Sequence, residues 1–154
     1  MVVGDGALRA AMQRLASRLG IDALTHFTGM VPEAELPKYI RGMDVVVNTS
    51  QRIETFCIAN IEAMASQVPI VSFGIGGVSE YLKAGINGVQ VDEATPEALA
   101  YAVMSVTDNK LTQRQMGQAG RRLIEEMFGS QQMALQYAAL YQELAFTSQE
   151  APSQ

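Results

Sequence analysis

Residues 45–62 read Val-Val-Val-Asn-Thr-Ser-Gln-Arg-Ile-Glu-Thr-Phe-Cys-Ile-Ala-Asn-Ile-Glu, and this stretch decides the fold. The apolar run 45–47 predicts a strand that is buried on both faces. A polar loop follows, and a helix is predicted from Cys57 to Ser66. A strand, a loop and a helix in this order form the repeating unit of a parallel α/β sheet.

The same unit recurs on both sides of this stretch. We therefore predict an α/β fold with a Rossmann-like, mostly parallel sheet and flanking helices, in one domain over residues 1–146 followed by a polar tail at 147–154. Downstream, strands are predicted at 69–73 and 88–91, and helices at 77–82, 96–107, 111–128 and 131–145. Upstream, strands are predicted at 2–3 and 25–28, a helix ending near Leu19 and a shorter one ending at Gly42.

The composition excludes several classes of protein. The chain has 154 residues, a net charge of −5 and only 11 Lys and Arg residues, which argues against a nucleic-acid partner. It contains no apolar run of the roughly 20 residues that a membrane span needs. One cysteine cannot form an internal disulfide, which fits a reducing compartment, and we predict a cytoplasmic location.

The loop that precedes Cys57 is the richest candidate site. Ligands of α/β folds bind at the carboxyl ends of the strands, and a helix N-terminus suits a phosphate. Glu54 stands before the helix and Glu62 lies within it, so each carboxylate could bind paired sugar hydroxyls at one end of a ligand. The alternative is that they are a first-turn acid and a solvated helix residue, although the helix around Glu62 is apolar nearly all round.

The other candidate features are weaker. Gly76-Gly77 could let a ligand approach the backbone, or could be an ordinary tight turn. Gly4-Asp5-Gly6 does not complete a dinucleotide-binding pattern, because Arg9 stands where the third glycine would be. His26, in mid-strand, is expected to be structural rather than a catalytic base, and Cys57 to be a small packing residue. No cluster has metal-ligand spacing, so no metal site and no cofactor are predicted.

Taken together, these segments resemble the C-terminal domain of the family 4 (group 1) glycosyltransferases, which have the two-domain GT-B fold. The similarity runs in order from Val2 to about Leu144. Its most specific part is the Glu-x7-Glu spacing with Glu-Ala-Met-Ala and a strand led by proline. The matching segments are residues 3–6, 27–31, 43–50, 54–56, 60–65, 68–71, 76–80 and 87–89.

The resemblance implies a nucleotide-sugar donor and a transfer that retains the anomeric configuration. Glu54 would be the catalytic residue in contact with the transferred hexose. The backbone amides of Phe56, Cys57 and Ile58 would hold the distal phosphate, and Glu62 would bind the ribose hydroxyls. This agrees with the physics, because the helix dipole would face the charge that develops on the departing diphosphate.

The resemblance also implies that Met30 and Val31 lie beside the base and that Gly4 is among the substrate-binding positions. The fold family usually needs no metal, and the Asp-x-Asp metal motif of the other large transferase fold is absent from this sequence. The acceptor is not identified by the resemblance, since acceptor selection belongs largely to an N-terminal domain.

The chain departs from the family pattern in two ways. Cys57 and Gln67 stand where the family usually has glycine, and a left-handed Gln67 would cost about 1 kcal/mol. The sequence also begins at what would be the second strand of the domain, so we expect the N-terminal domain, the first strand and the usual Arg and Lys that pair with the diphosphate to be missing. Arg52 is the nearby cation.

Two functions therefore remain open. The chain is either the donor-binding part of a retaining glycosyltransferase, inactive as this fragment, or a non-catalytic, nucleotide-binding-like remnant that serves as an interaction module. The coding sequence upstream would distinguish them.

Overall fold

The computed structural model describes residues 1–53 and 55–149, and of residues 146–149 the backbone alone. The chain divides into two compact units, one from Met1 to Tyr39 and one that begins at Ile40. The helices are α1 (Arg9–Arg18), α2 (Leu36–Arg41), α3 (Ile58–Ala65), α4 (Val78–Tyr81), α5 (Pro96–Thr107), α6 (Lys110–Met127) and α7 (Ser130–Gln149). The strands are β1 (Val2–Val3), β2 (Phe27–Gly29), β3 (Val46–Asn48), β4 (Ile70–Ser72) and β5 (Gly88–Gln90).

The first unit contains a two-stranded parallel sheet of β1 and β2. Helix α1 connects them and ends at Arg18, with Leu19 as its C-cap residue, after which Gly20 has a φ of 69°. A left-handed glycine at this place is the usual end of a helix. His26 precedes β2 and its side chain is exposed, so its predicted place in mid-strand is wrong. A 3₁₀ turn at Asp22–Leu24 takes up the chain before it and delays the start of the strand.

The second unit contains a parallel sheet with the strand order β3-β4-β5. Its central strand β4 lies within the predicted strand 69–73 and is buried throughout. Gly88 of β5 lies so close to the carbonyl oxygen of Ile70 that a Cβ there would overlap it. Glycine at this position is therefore what lets β5 pair with β4.

Strand β3 is less buried than its sequence predicts. Within the described residues it pairs with β4 alone, and Val47 is 39% exposed. The prediction that residues 45–47 form a strand buried on both faces is therefore wrong, and the strand itself runs from Val46 to Asn48. The reason is its place at the edge of the sheet, where flanking helices cover a strand less completely than at the centre.

The core of the second unit lies between the sheet and α5 and α6. Helix α5 begins as predicted: the Thr95 side chain accepts a hydrogen bond from the Ala98 N–H at 3.2 Å, and Pro96 is the first helical residue. Burial of this apolar cluster is the main source of stability for the unit. The buried members are Val71, Phe73, Val91, Ala102, Val106 and Met116.

Helix α6 packs against the C-terminal end of α3. Gln67, just past α3, has a φ of 62° and so takes the left-handed conformation that its place at a usual glycine predicted. A Cβ on Gly117 would overlap the Gln67 carbonyl oxygen, and one on Gly120 would lie 3.3 Å from the Met64 side chain. Arg121 donates a hydrogen bond to the carbonyl oxygen of Ala65, which caps the end of α3.

Helix α7 presents apolar side chains that the described residues leave uncovered. Each of its large apolar side chains from Met133 to Leu144 is between 46% and 66% exposed. The helix runs to Gln149, so it includes the first three residues of the predicted tail, and residues 150–154 lie outside the described residues. These apolar side chains are Met133, Leu135, Tyr137, Leu140, Tyr141 and Leu144.

Candidate functional site

The loop between β3 and α3 is held by Asn48. The Asn48 Nδ2 donates to the Cys57 Sγ at 2.9 Å, and the Asn48 Oδ1 accepts from the Ser50 N–H at 2.9 Å. Cys57 is the residue just before α3, with φ 59° and ψ 81°. An L residue in this left-handed conformation is unfavourable by about 1–2 kcal/mol. The hydrogen bond from Asn48 therefore helps to hold Cys57, whose side chain is half-buried as expected of a packing residue.

The first turn of α3 presents backbone donors without acceptors. Within the described residues, no atom accepts a hydrogen bond from the N–H groups of Cys57, Ile58 or Ala59, and no side chain caps the helix. The next N–H, that of Asn60, donates to the Cys57 carbonyl oxygen at 3.1 Å. Free N–H groups and the partial positive charge of a helix N-terminus favour an anion.

Glu62 lies on α3, five residues beyond Cys57. At 1.5 Å per residue this is roughly 7–8 Å along the helix axis. The Glu62 side chain is half-buried, on a helix whose buried positions are Asn60, Ala63 and Met64. A half-buried carboxylate on such a helix argues against the alternative that Glu62 is simply a solvated helix residue.

Glu54 lies outside the described residues. Its neighbours in the sequence are both exposed, Ile53 to 84% and Thr55 also. The predicted catalytic carboxylate therefore stays a prediction. The exposed Arg52 side chain lies in the same loop.

A buried polar network behind the first turn of α3 was not predicted from the sequence. The Tyr81 hydroxyl of α4 donates to the Phe56 carbonyl oxygen at 2.7 Å, and the Asn60 Nδ2 donates to the Tyr81 Oη at 3.0 Å. The Asn87 Nδ2 donates to the Tyr81 carbonyl oxygen at 2.8 Å. Tyr81 and Asn60 are both fully buried. A signal existed in the sequence, because an asparagine on an apolar helix needs a partner.

Aromatic rings fill the space around this network. The ring centroids of Phe56 and Tyr81 are 5.7 Å apart, and those of Phe56 and Phe128 are 5.1 Å apart, both in edge-to-face geometry. Such pairs add roughly 0.5–1.5 kcal/mol beyond the burial of their area. The loop before α3 is thus fixed to α4 and to the end of α6.

The Gly-rich loop after β4 is explained by packing. A Cβ on Gly74 would overlap the Gln90 side chain, and Gly76 has a φ of 70°. The Ser79 hydroxyl donates to the Gly76 carbonyl oxygen at 2.8 Å and closes the turn. These contacts support the ordinary tight turn over a loop that a ligand approaches.

Gly4, Met30 and Val31 belong to the first unit, and Phe56, Cys57, Ile58 and Glu62 to the second. Within its own unit, Gly4 has a φ of 111° and its N–H donates to the Gly29 carbonyl oxygen at 3.0 Å. Met30 is 78% exposed and Val31 is half-buried.

Arg9 occupies the space beside this turn in the first unit. It forms an ion pair with Asp5 at 2.8 Å and lies 2.9 Å from the place that a Cβ on Gly29 would take. The Gly6 N–H and then Arg9 hold the pKa of the exposed Asp5 carboxyl below its usual value. A cavity of about 220 Å³ lies against these residues.

The described residues contain no group of three His, Cys, Asp or Glu side chains that could hold a metal ion. Over the same part of the chain, none of the helices combines the length and the apolar character needed to cross a lipid bilayer.

Comparison with known proteins shows what the chain resembles. The family model described as glycosyl transferases group 1 matches residues 1–123. The D-inositol 3-phosphate glycosyltransferase of Geodermatophilus obscurus is 31% identical over 91% of this chain and 31% of its own length. The chain spans between 23% and 39% of the length of the relatives that it matches.

Solved structures agree with the fold. Sucrose-phosphate synthase (tll1590) from Thermosynechococcus elongatus superposes with a TM-score of 0.82 and is 27% identical, covering 92% of this chain and 35% of that one. Alr3699/HepE of Anabaena, solved in complex with UDP and glucose, superposes with a TM-score of 0.81 at 23% identity, covering 91% of this chain and 39% of that one.

Proposed function

The chain belongs to the group 1 glycosyltransferases, whose family model matches residues 1–123, and from this we propose that it is the C-terminal, donor-binding part of a family 4 glycosyltransferase with the GT-B fold. In this proposal the whole enzyme moves a hexose-type sugar from a nucleotide-sugar to an acceptor with retention of configuration. An N-terminal domain supplies the acceptor site. The enzyme acts in the cytoplasm, as the use of a single cysteine suggests.

The observation that carries the proposal is the first turn of α3. Three consecutive N–H groups, those of Cys57, Ile58 and Ala59, have no acceptor within the described residues. They stand at the carboxyl end of β3, where parallel sheets bind ligands. In the proposal these N–H groups and that of Phe56 bind the distal phosphate of the donor and stabilise the diphosphate as it leaves.

The two carboxylates are assigned to the two ends of the donor. Glu62, roughly 7–8 Å along α3 from Cys57, would bind the ribose hydroxyls. Glu54 would face the transferred sugar, whose ring gains positive charge as the diphosphate leaves. Each carboxylate can accept two hydrogen bonds from neighbouring hydroxyls.

The base is assigned to the first unit, beside Met30 and Val31, with Gly4 near the donor. Support for a nucleotide comes from the fold, since Alr3699/HepE was solved with UDP. No metal is needed in this proposal, because the N–H groups of α3 would carry the charge of the phosphate.

A second candidate function is a non-catalytic interaction module. The observation that favours it is α7, whose large apolar side chains from Met133 to Leu144 are at least 46% exposed. Exposed apolar surface of this kind marks contact sites for other proteins.

Nucleotide binding separates the two functions. Titration calorimetry of the 154-residue chain with UDP, GDP and ADP is expected to show binding of at least one of them. Glu62→Gln should weaken that binding, whereas the same change at the exposed Glu97 of α5 should leave it unchanged. Failure of all three nucleotides to bind would reject the donor-site proposal and favour the interaction module.

A further inference from the structure

We propose that Tyr81 is a positioning residue for the phosphate-binding turn: its hydroxyl fixes the direction of the Cys57 N–H by holding the carbonyl group of Phe56. This inference rests on the proposed function, since it concerns the N–H groups assigned there to the distal phosphate. Tyr81 itself touches no donor atom in this scheme.

One peptide plane links Tyr81 to the N–H of Cys57. The Phe56 carbonyl oxygen and the Cys57 N–H belong to the same peptide unit, and the described chain has no cis peptide bond. In a trans unit the carbonyl group and the N–H point in opposite directions. Because the Tyr81 hydroxyl binds the carbonyl oxygen at 2.7 Å, the Cys57 N–H points away from Tyr81.

The Tyr81 hydroxyl has one hydrogen, and it donates that hydrogen to the Phe56 carbonyl oxygen. The Asn60 Nδ2 donates to the Tyr81 Oη at 3.0 Å, so that contact uses a lone pair of the hydroxyl oxygen. The Asn87 Nδ2 holds the backbone carbonyl of Tyr81 at 2.8 Å, and the ring of Phe56 packs edge-to-face on that of Tyr81. The fully buried Tyr81 is therefore held at its hydroxyl, at its ring and at its backbone carbonyl.

The strain at Cys57 favours rotation of the peptide plane between Phe56 and Cys57. Cys57 has a φ of 59°, which is unfavourable for a residue with a side chain. Rotating the 56–57 plane by about half a turn changes the ψ of Phe56 and the φ of Cys57 together, and takes Cys57 into the extended region. It would also place a carbonyl oxygen where the phosphate needs an N–H, and would break the bond to Tyr81.

The hydroxyl of Tyr81 therefore has a specific positioning role. It keeps Cys57 in a strained conformation in which the N–H can bind a phosphate, and the aromatic contacts alone cannot do this because they do not select one side of the peptide plane. The part of the donor that depends on Tyr81 is therefore the distal phosphate, and not the nucleoside or the first phosphate.

The test compares nucleoside diphosphates with monophosphates. The 154-residue chain is titrated with UDP, GDP and ADP and with UMP, GMP and AMP. Tyr81→Phe keeps the ring and removes the hydroxyl. We expect it to lower the affinity for the preferred diphosphate roughly tenfold, about the value of one hydrogen bond to a charged group, and to leave the matching monophosphate unchanged.

Three further variants make the result specific. Tyr101→Phe removes a hydroxyl from a side chain that is 77% exposed on α5, and Val106→Ala destabilises the core at a fully buried position away from the loop. Both should leave the ratio of diphosphate to monophosphate affinity unchanged. Cys57→Gly in the Tyr81→Phe background should restore the ratio, because glycine removes the strain that turns the plane.

An equal loss of affinity for both nucleotides in Tyr81→Phe would overturn the inference and leave the proposed function standing. Failure of the wild-type chain to bind any nucleotide would overturn the proposed function. The positioning role is then decided without ligand, from the three-bond coupling between the amide proton and the α-proton of Cys57, which reports φ. A coupling that changes in Tyr81→Phe but not in Tyr101→Phe supports the role, and an unchanged coupling overturns it.

Discussion

The carbonyl oxygen of Gln67 lies against the α-carbon of Gly117, so closely that no side-chain carbon could stand at position 117 without moving one of the two helices. This contact sets the distance between α6 and the end of α3. It depends on the left-handed φ of 62° at Gln67, which turns the chain after the helix.

Gly117→Ala is expected to destabilise the chain by about 1–3 kcal/mol, the usual cost of overpacking a close contact. The added methyl group would overlap the backbone carbonyl oxygen of Gln67, which cannot rotate away as a side chain can. Gly120→Ala on the same helix is the matched control, because there the nearest atoms, the Cβ and Cγ of Met64, lie at 3.3 Å, a contact that a small shift of the side chain relieves. Urea denaturation should show a larger loss of unfolding free energy for Gly117→Ala than for Gly120→Ala. Equal stability of both would contradict the contact.

Gln67→Gly is expected to stabilise the chain by up to about 1 kcal/mol, because glycine adopts a positive φ without strain. Gln118, an exposed residue inside α6, provides the control. There the same change should destabilise by about 1 kcal/mol, since glycine is a poor helix former. Opposite signs in urea denaturation are the expected result, and a loss of stability at both positions would refute the strain at Gln67.

The stability of the second unit should depend on the ionisation of Asp44. Hydrogen bonds from Lys110 and then Gln113 hold the pKa of this exposed carboxyl below its usual value of 3.8. A lowered folded-state pKa means that the contribution is present above pH 3.8 and is lost as the pH falls through the folded value. Asp44→Asn should therefore be slightly less stable than wild type at pH 6, and the difference should shrink as the pH falls below 3.8.

Asp108→Asn is the control for that measurement, because the side chain is exposed and no described residue holds it by such a contact. Thermal melts at several pH values decide the matter. A difference between Asp44→Asn and wild type that persists unchanged at pH 2 would show that the ion pair is not its cause.

The two carboxylates of the proposed donor site should affect kinetics differently in a full-length enzyme. Glu62→Ala should mainly raise KM, because hydroxyl contacts to the ribose form in the ground state and persist in the transition state. Glu54→Gln should mainly lower kcat, because the carboxylate helps most when the sugar ring carries positive charge. Steady-state kinetics with wild-type values for both would reject the site, and a swapped pattern would reject the division of roles.

The 154-residue chain alone is expected to transfer no sugar. Transfer depends on holding donor and acceptor together, which accounts for a large part of the reduction of the barrier. Common nucleotide-sugars incubated with the chain and a panel of acceptors should give hydrolysis at most at the rate of buffer. Product formed by the purified chain would refute this expectation.

Part of the site could be predicted from local sequence. The strand, loop and helix around residues 45–62 and the cap at Thr95 follow from chemistry within a few residues of each position. The left-handed Gln67 was indicated instead by the glycine that the resembled family usually has there. The buried network could not be predicted in the same way, because Asn60 and Tyr81 are separated by 21 residues along the chain. An unmatched polar residue shows that a partner is needed but does not say which one.

The sequence by itself therefore determined the order of the elements, the parallel α/β class and the position of the helix whose N-terminus faces the predicted ligand. Only the tertiary structure decided that β3 lies at a sheet edge, that α7 exposes its large apolar side chains from Met133 to Leu144, and that Tyr81 holds the carbonyl of Phe56. The physical reason is the range of the forces. Backbone propensities and caps act over about one helical turn, whereas burial and hydrogen-bond partners depend on which distant segments the fold brings together.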